Sequence, residues 1–327
     1  MLKQVQHHGK DNNYRKKQMN KEKNILITGA TGFVGQNLRP YLSSKGMQTI
    51  GVSRTEISNE NISYHDLKEG VWNKASAMLH LAGKAHDLKK TSEDKEYFEA
   101  NTALTKTLFD QFLKSDCEVF IYMSSVKAAA DVVEGVLTED LAPNPVTVYG
   151  KSKLAAEQYI LSKEIPANKR VYILRPCMIH GPKNKGNLNL LYSVVSKGIP
   201  YPFGKYENKR SFVSVDNLCF IINELIENPT IASGIYHIAD DTSISTKELV
   251  TIIGETIGKP ARILNTPKFL VNLLAKIGDV LPLPLNSERV QKLIENYEVS
   301  NHKIIKAMHK KLPLSTKEGI QKTIASF

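Results

Sequence analysis

Tyr149 and Lys153 stand four residues apart in a stretch that reads Tyr-Gly-Lys-Ser-Lys. At helical spacing the two side chains share one face and lie one turn from each other. A tyrosine with its ordinary pKa of about 10 is a poor base at neutral pH, but a nearby ammonium group favours the phenolate and lowers that pKa. The pair therefore predicts a proton donor and acceptor for the interconversion of an alcohol and a ketone. A tyrosine and a lysine at this spacing usually form only a pair on the protein surface. Whether Tyr149 and Lys153 are catalytic therefore depends on the elements around them.

Three glycines follow a short apolar run near the start of the chain. Ile25–Ile27 is followed at once by Gly29, Gly32 and Gly35, and then by an amphipathic stretch. A short β-branched run that ends in glycine indicates a buried strand. The first glycine permits a sharp turn, the second lets a phosphate approach the backbone, and the third lets the next helix pack close to the sheet. The helix start would then bind a pyrophosphate; a tight turn without a ligand is the weaker alternative.

Two serines follow another predicted strand, residues 118–123. Ser124 and Ser125 are expected at the same sheet edge as the glycine turn, because parallel strands end at a common edge. A hydroxyl group there can hydrogen-bond the oxygen that reacts. The alternative is a serine that satisfies the local backbone, and the residues alone do not choose between the two serines.

Apolar strands alternate with amphipathic helices from Asn24 onward, which predicts an α/β fold with a mostly parallel sheet and right-handed crossovers. Beyond Pro182 this rhythm loosens. We therefore predict a Rossmann-type doubly wound domain over residues 24–182 and a smaller α+β substrate lobe over 183–327, with some of its segments returning to the sheet. The predicted strands are 25–27, 48–53, 62–65, 77–81, 118–123 and 170–174, and the predicted long helices are 92–114 and 147–163.

The net charge of +11 is concentrated at the N-terminus. Residues 1–23 contain seven lysine and arginine residues against Asp11 and Glu22, and almost no large apolar side chains. This composition predicts a disordered basic tail, and we expect no nucleic-acid binding from it. Met19 lies just before the first strand, so we hypothesise that translation could start there.

The cysteine pattern and the hydropathy of the chain indicate a cytoplasmic protein. The three cysteines, Cys117, Cys177 and Cys219, are far apart and odd in number, which favours reduced thiols and no metal site. No apolar run reaches the roughly 18 residues of a transmembrane helix, and the N-terminus has no signal-peptide core, so we expect no membrane insertion. Residues 269–283 form an apolar run interrupted by Lys276 and Asp279. An amphipathic surface helix is one interpretation of this run, which is too short to span a bilayer, and packing on the core is the expected role.

Together these stretches resemble the extended short-chain dehydrogenase/reductase superfamily, in its NAD-dependent epimerase/dehydratase branch. The resemblance covers nearly everything from Asn24 to Phe327. The motifs that carry it are residues 28–35 (Thr-Gly-Ala-Thr-Gly-Phe-Val-Gly), Asp66-Leu67, 80–83 (His-Leu-Ala-Gly), Asn101, Ser124-Ser125, 149–153, 174–176 (Leu-Arg-Pro) and 210–216 (Arg-Ser-Phe-Val-Ser-Val-Asp).

The resemblance implies a role for each matched position. Tyr149 would be the acid/base, Lys153 would lower its pKa and bind the nicotinamide ribose, and Ser125 would orient the sugar hydroxyl. Arg210 would grip the diphosphate of the substrate, a task that suits a guanidinium group. The positions matched to substrate binding are Ser125, Asn187, Leu188, Phe203 and Arg210. The positions matched to cofactor binding are Gly29, Thr31, Gly32, Phe33, Val34 and Gly35 around the pyrophosphate, Asp66 and Leu67 at the adenine, and Leu81, Ala82, Gly83, Lys84, Asn101, Tyr149, Lys153 and Pro176 elsewhere.

One position departs from the pattern of the NAD-using members. Many of them end the second strand with an acidic residue that accepts hydrogen bonds from the ribose 2′-hydroxyl. Here that strand ends with Val52-Ser53-Arg54. The cofactor is therefore expected to be NAD or NADP, and Arg54 slightly favours NADP(H).

The resemblance also implies a nucleotide-sugar enzyme of surface-polysaccharide biosynthesis with a UDP-sugar substrate. Arg54 favours reduction of a UDP-linked 4-keto-6-deoxy-N-acetylhexosamine at C4, because a reductase exchanges its cofactor at each turnover. The alternative is a UDP-glucose or UDP-N-acetylglucosamine 4-epimerase. A 4,6-dehydratase is disfavoured because Val126-Lys127 stands where such enzymes have acidic residues. A regulatory NAD(P)-binding module is disfavoured because the tyrosine and lysine are present. A homodimer through helices 92–114 and 147–163 is also implied.

Overall fold

A computed structural model describes residues 24–55, 61–84, 93–184, 187–280 and 286–327. The predictions for residues 1–23, including the disordered tail and the start at Met19, lie outside the described residues. The strands are β1 (Asn24–Thr28), β2 (Gln48–Ser53), β3 (Asn61–Ser63), β4 (Ala75–His80), β5 (Val119–Met123), β6 (Val136–Leu137), β7 (Arg170–Pro176), β8 (Met178–His180), β9 (Phe212–Ser214), β10 (Gly234–Ile238) and β11 (Glu298–Val299). The α-helices are α1 (Phe33–Ser44), α2 (Glu69–Trp72), α3 (Asp94–Phe98), α4 (Leu104–Lys114), α5 (Val148–Leu161), α6 (Asn187–Ser196), α7 (Val215–Glu227), α8 (Thr246–Thr256), α9 (Lys268–Val280), α10 (Ser287–Ile294), α11 (His302–Met308) and α12 (Thr316–Ile324).

Seven strands form one parallel sheet in the order β10-β7-β5-β4-β1-β2-β3. The order reverses between β1 and β4, which is the point where α/β sheets bind ligands at the carboxyl ends of their strands. Helices cover both faces, so central strands such as β5 are apolar and buried along their whole length. The predicted Rossmann-type doubly wound sheet is confirmed.

Two hydrophobic clusters hold the helices against the two faces of the sheet. On one face, Leu38 and Leu42 of α1 pack in a cluster with Leu218 and Ile222 of α7. On the other face, α4 and α5 contribute a second cluster that includes Phe109 and Phe112. This two-sided burial fixes the carboxyl ends of the strands, where the predicted site residues lie.

The chain beyond residue 182 contributes to both parts of the fold. Strand β10 pairs with β7 in the main sheet, so this part of the chain returns to the Rossmann sheet. A third cluster, which includes Leu188, Phe203 and Val271, forms the core of the smaller lobe. Two short parallel pairs, β8-β9 and β6-β11, lie outside the main sheet.

The predicted long helix over 92–114 is confirmed from residue 94 to residue 114, but it is not one regular α-helix. It consists of α3, a π-helical turn at Glu99–Ala103, and α4. A π turn inserts an extra residue and changes which side chains face inward. Here Asn101 and Thr105 both become fully buried. The strand predicted near 62–65 also ends earlier, because residues 64–66 form a 3₁₀ turn capped by Ser63.

The apolar run that follows Pro267 is also partly mispredicted. Helix α9 covers residues 268–280, but only one of its faces packs on the core. Its other face leaves Phe269 and Val280 largely exposed. Core packing therefore accounts for the apolar side chains on one face of α9 but not for those on the other face.

The three cysteines are buried free thiols, as predicted. Within the described ranges, the structure has no helix long and apolar enough to cross a membrane. The same ranges contain no group of three or more histidine, cysteine, aspartate or glutamate side chains placed to hold a metal ion.

Candidate active site

The turn between β1 and α1 has the close packing that its glycines predict. Gly29 adopts a φ of +68°, and a Cβ atom there would lie 2.8 Å from the backbone nitrogen of Ala82. A Cβ atom at Gly35 would lie 2.6 Å from the carbonyl oxygen of Ala30. Larger residues are thus excluded at both positions, since real Cβ atoms do not approach other atoms so closely.

The start of α1 is shaped to receive an anion. Gly32 is the N-cap residue, and no side chain caps the helix. The N–H groups of the first turn therefore point out of the helix without a side-chain acceptor. Thr31 is exposed beside this turn, whereas Phe33 and Val34 pack against the core. These residues fit the pyrophosphate of a dinucleotide.

The segment Leu81–Lys84 connects the glycine turn to the tyrosine and lysine. The Ala82 N–H donates to Thr28 Oγ1 at 3.1 Å, and the Lys84 N–H donates to Asn101 Oδ1 at 2.8 Å. A Cβ atom at Gly83 would lie 2.9 Å from Lys153 Nζ and 2.6 Å from Asn101 Oδ1. The predicted middle of the cofactor site and Lys153 are therefore in direct contact.

Tyr149, Lys153 and Ser125 meet where β5 ends and α5 begins. Tyr149 and Ser125 share a side-chain hydrogen bond, and Ser125 also caps the next turn by accepting from the Lys127 N–H at 3.2 Å. Lys153 is buried, and its Nζ donates to the Met123 carbonyl at 2.8 Å. A hydroxyl pair with a buried ammonium group beside it can hold an oxygen and transfer a proton to it.

The pKa values differ from the expectation for a tyrosine next to a lysine. Burial raises the pKa of Tyr149 above 10, with the hydrogen bond from Ser125 opposing this rise. Burial lowers the pKa of Lys153 to about 8, with the carboxylate of Glu157 opposing it. The expected lowering of the tyrosine pKa by Lys153 is therefore not seen, because desolvation of the phenol dominates. Lys153 nevertheless carries its charge below pH 8.

An aspartate fixes the start of α5. The carboxylate of Asp131 accepts hydrogen bonds from the Val146 N–H at 2.6 Å, the Thr147 N–H at 2.9 Å and the Thr147 hydroxyl at 3.0 Å. Thr147 in turn caps the helix by accepting from the Gly150 N–H. These contacts hold the backbone two residues before Tyr149, and sequence reasoning did not identify Asp131.

A buried ion pair lies one helical turn beyond Lys153. Arg175 donates to Glu157 through Nε at 3.0 Å and through Nη2 at 2.5 Å, and both side chains are 1% exposed. Ser124 also donates to Glu157 of α5. Of the two serines, Ser125 is therefore the one that contacts Tyr149. Sequence reasoning missed Glu157, although a carboxylate four residues after a buried lysine on the same helix face was a usable signal.

The predicted adenine end lies at the carboxyl ends of β2 and β3. Arg54 is exposed there, and its charge is close enough to Tyr64 to lower the pKa of that phenol against the larger effect of burial. Asp66 is exposed and accepts from the Ser63 hydroxyl at 2.5 Å, while Leu67 is buried. Pro176, the other predicted cofactor residue, ends β7.

The predicted substrate residues of the smaller lobe separate into two groups. Leu188 and Phe203 are buried in the core of the lobe, and Asn187 begins α6. Arg210 is different, because its side chain is 18% exposed and lies 3.7 Å from Glu295. Burial lowers the pKa of Arg210, and Glu295 opposes this shift. Arg210 is therefore a positioned, partly buried cation.

A sequence model described as the NAD dependent epimerase/dehydratase family matches residues 25–239. A UDP-glucose 4-epimerase of Vibrio cholerae is 32% identical over 325 residues, which cover 93% of this chain and 95% of the relative.

Solved structures share the fold at lower identity. A UDP-N-acetylglucosamine 4-epimerase from Bacillus cereus superposes with a TM-score of 0.74 at 19% identity, covering 93% of this chain and 98% of the other. A UDP-glucuronic acid 4-epimerase from the same organism, solved in complex with NAD, superposes with a TM-score of 0.69 at 18% identity over 93% and 98% of the two chains.

Proposed function

The chain belongs to the NAD dependent epimerase/dehydratase family, and on this premise we propose that it reduces a UDP-linked 4-keto-6-deoxy-N-acetylhexosamine at C4 in surface-polysaccharide biosynthesis. The observation that carries the proposal is the hydrogen-bonded pair of Tyr149 and Ser125, with the buried Lys153 beside it. The exposed Arg54 at the nucleotide end supports NADPH as the reductant.

In this reaction, the nicotinamide cofactor supplies a hydride to the C4 carbon of the sugar. Ser125 holds the ketone oxygen, and the Tyr149 hydroxyl donates the proton that completes the alcohol. The raised pKa of Tyr149 keeps that proton on the phenol until the oxygen becomes basic. Lys153, charged below pH 8, stabilises the phenolate that remains until the tyrosine regains a proton from solvent.

The second candidate is a UDP-glucose or UDP-N-acetylglucosamine 4-epimerase, which the similarity to the Vibrio cholerae relative favours. An epimerase uses the same tyrosine, serine and lysine in both directions and retains its cofactor. A 4,6-dehydratase is disfavoured, because Val126 is buried and Lys127 Nζ donates to the Asp131 carbonyl at 2.8 Å. The five residues that follow Ser125, Val126 to Ala130, include no carboxylate to serve that reaction.

The two candidates differ in whether the cofactor is consumed. We would incubate the purified protein with NADPH and the UDP-linked 4-keto-6-deoxy-N-acetylhexosamine, and separately with UDP-glucose and UDP-N-acetylglucosamine alone. The proposal predicts one NADPH oxidised for each ketone reduced. Interconversion of the C4 epimers with no net NADPH consumption would establish the epimerase instead.

Arg54→Asp is expected to move the cofactor preference from NADP(H) toward NAD(H). A guanidinium group meets the 2′-phosphate with paired donors, whereas a carboxylate repels that phosphate and accepts from a bare 2′-hydroxyl. The measurement is the ratio of the dissociation constants for NADPH and NADH in both proteins. Lys45→Asp, the same charge change just beyond the far end of α1, should leave the ratio unchanged. A ratio near one in both the wild type and Arg54→Asp would contradict the proposed preference.

Arg210→Ala is expected to raise KM for the UDP-sugar by about 10- to 100-fold, because a charge-assisted contact to the diphosphate contributes roughly 1.5–3 kcal/mol. Dinucleotide binding should not change. Lys209→Ala is the control, since Lys209 is the exposed neighbouring cation. If the two variants show the same KM as the wild type for every UDP-sugar that is turned over, Arg210 does not bind the diphosphate.

We further propose that the protein works in the cytoplasm as a homodimer. Phe98 at the end of α3 and Leu161 at the end of α5 are 39% and 57% exposed, which suits the implied pairing of these helices. Sedimentation velocity of the wild type and of Leu161→Glu would test this, since the charge should shift a dimer toward monomer.

A further inference from the structure

Helix α9 has two apolar faces, and among the residues that the structure describes only one of these faces is covered. The inward face places Val271 and Ala275, which are at most 2% exposed, in the core of the smaller lobe. The outward face carries four apolar side chains at steps of four and three residues, so they lie along one side of the helix. We call this set the apolar row: Phe269, Leu273, Ile277 and Val280, exposed by 73, 53, 40 and 85%.

The apolar row is more than scattered surface hydrophobicity. Single exposed apolar residues are normal, but a contiguous apolar patch on one element marks an interaction site. Leu270, at the edge of the row, is also 37% exposed. The same lobe exposes Ile199 and Leu264, each by 49%, next to the bridge between residues 201 and 263.

Exposed basic side chains occur in the same segment as the row. Residues 259–280 contain Lys259, Arg262, Lys268 and Lys276 and a single acidic residue, Asp279. Of the cations, Lys259 donates to the Ser196 carbonyl and Lys268 Nζ lies over the Tyr206 ring, and both remain exposed to solvent. The Asp279 carboxylate is engaged within the chain, since it accepts from the Ser287 N–H at 2.9 Å and from the Ser287 hydroxyl at 2.6 Å. An apolar stripe flanked by lysine and arginine is the pattern of a helix that lies in a membrane interface.

We propose that the apolar row docks the smaller lobe on a bilayer surface rich in anionic phospholipid, with α9 parallel to that surface. The helix has 13 residues and therefore a length of about 20 Å, which is too short to span a hydrocarbon core of about 30 Å. The apolar side chains would enter the boundary between headgroups and acyl chains, and the flanking cations would meet the phosphates.

A second copy of the chain fits this surface less well. Lys276 lies three residues after Leu273 and four before Val280, so it shares the face of α9 that carries the row. A contact between two copies through the row would bury this cation among apolar side chains. Anionic headgroups neutralise these cations, whereas a second copy repeats them. Because of these charges, we expect the row to bind an anionic lipid surface and not a second copy of the chain.

Docking would also orient the part of the protein that is predicted to bind the substrate. Val271 on the inward face of α9 belongs to the same hydrophobic cluster as Leu188 and Phe203. The row and these residues are thus parts of one packed lobe, and a lobe attached through α9 would present its site at the membrane surface. The docking itself does not depend on which sugar reaction the protein catalyses.

The test is sedimentation of the full chain with vesicles of phosphatidylglycerol and phosphatidylcholine, compared with vesicles of phosphatidylcholine alone. The wild type should bind the anionic vesicles at least tenfold more strongly. Phe269→Ser combined with Leu273→Ser should lower that binding at least tenfold while leaving turnover in solution unchanged. Val132→Ser combined with Val146→Ser is the matched control, since both valines are exposed by more than 70% on another part of the surface.

Both variants retain the basic residues 1–23. A difference in vesicle binding between them therefore comes from the apolar row and not from the N-terminal tail. Equal vesicle binding by the wild type and by the Phe269/Leu273 variant would overturn the proposal and assign binding to the other cations. The proposal would also be overturned if the wild type does not bind vesicles and the Phe269/Leu273 variant sediments as a smaller species than the wild type. That result would favour a contact between copies of the chain.

Discussion

Tyr149→Phe is expected to lower kcat by about a hundredfold or more while leaving the dissociation constant of the dinucleotide nearly unchanged. The phenol hydroxyl is required only where a proton moves, and the ring that remains still fills the same space. Because Tyr149 hydrogen-bonds Ser125, the variant removes the proton that the phenol would transfer and also a hydrogen-bond partner of Ser125. Steady-state kinetics together with cofactor titration would measure the two effects separately.

Tyr159→Phe is the matched control for this variant. Tyr159 lies on the same helix, and its hydroxyl donates to Asp110 at 2.7 Å. Removing that hydroxyl group should cost about 1 kcal/mol of stability and leave kcat unchanged. A wild-type kcat in Tyr149→Phe would remove Tyr149 from the reaction, and an equal loss in both variants would indicate a general effect on α5.

Arg175→Met is expected to destabilise the fold by about 3–5 kcal/mol, because the buried carboxylate of Glu157 loses the guanidinium group that pairs with it. The double variant Arg175→Met with Glu157→Gln should recover much of the loss, because it removes both charges. Urea unfolding of the two variants and the wild type measures each of these free energies.

The exposed pair of Lys317 and Glu255 provides the comparison. Lys317 Nζ lies 3.0 Å from Glu255, and the two side chains are 57% and 51% exposed. Lys317→Met should therefore cost no more than about 1 kcal/mol. A loss of similar size in Arg175→Met would mean that water reaches Glu157, and the interpretation of the pair as the fixed support behind Lys153 would fail.

Some of the site follows from short stretches of sequence. The turn of Gly29, Gly32 and Gly35, the helix that carries Tyr149 and Lys153, and the alternation of strands and helices were all predicted correctly. Each of these features depends on backbone geometry within a few consecutive residues.

Other features require elements that are distant along the chain. The π turn that buries Asn101 places its side chain against Lys84 and Ser152, and no local periodicity encodes it. The pKa of Lys153 depends on desolvation by several elements and on the charge of Glu157. A pKa is decided by burial, which the spacing of residues on one helix does not determine.

The sequence by itself determined the fold class, the glycine turn and the helix that carries Tyr149 and Lys153. Only the tertiary structure decided that Glu157 pairs with Arg175, that the pKa of Tyr149 is raised, and that α9 leaves its apolar row uncovered. The physical reason is the range of the interactions. Helix, strand and turn preferences act between near neighbours, whereas desolvation and ion pairing depend on which distant elements pack together.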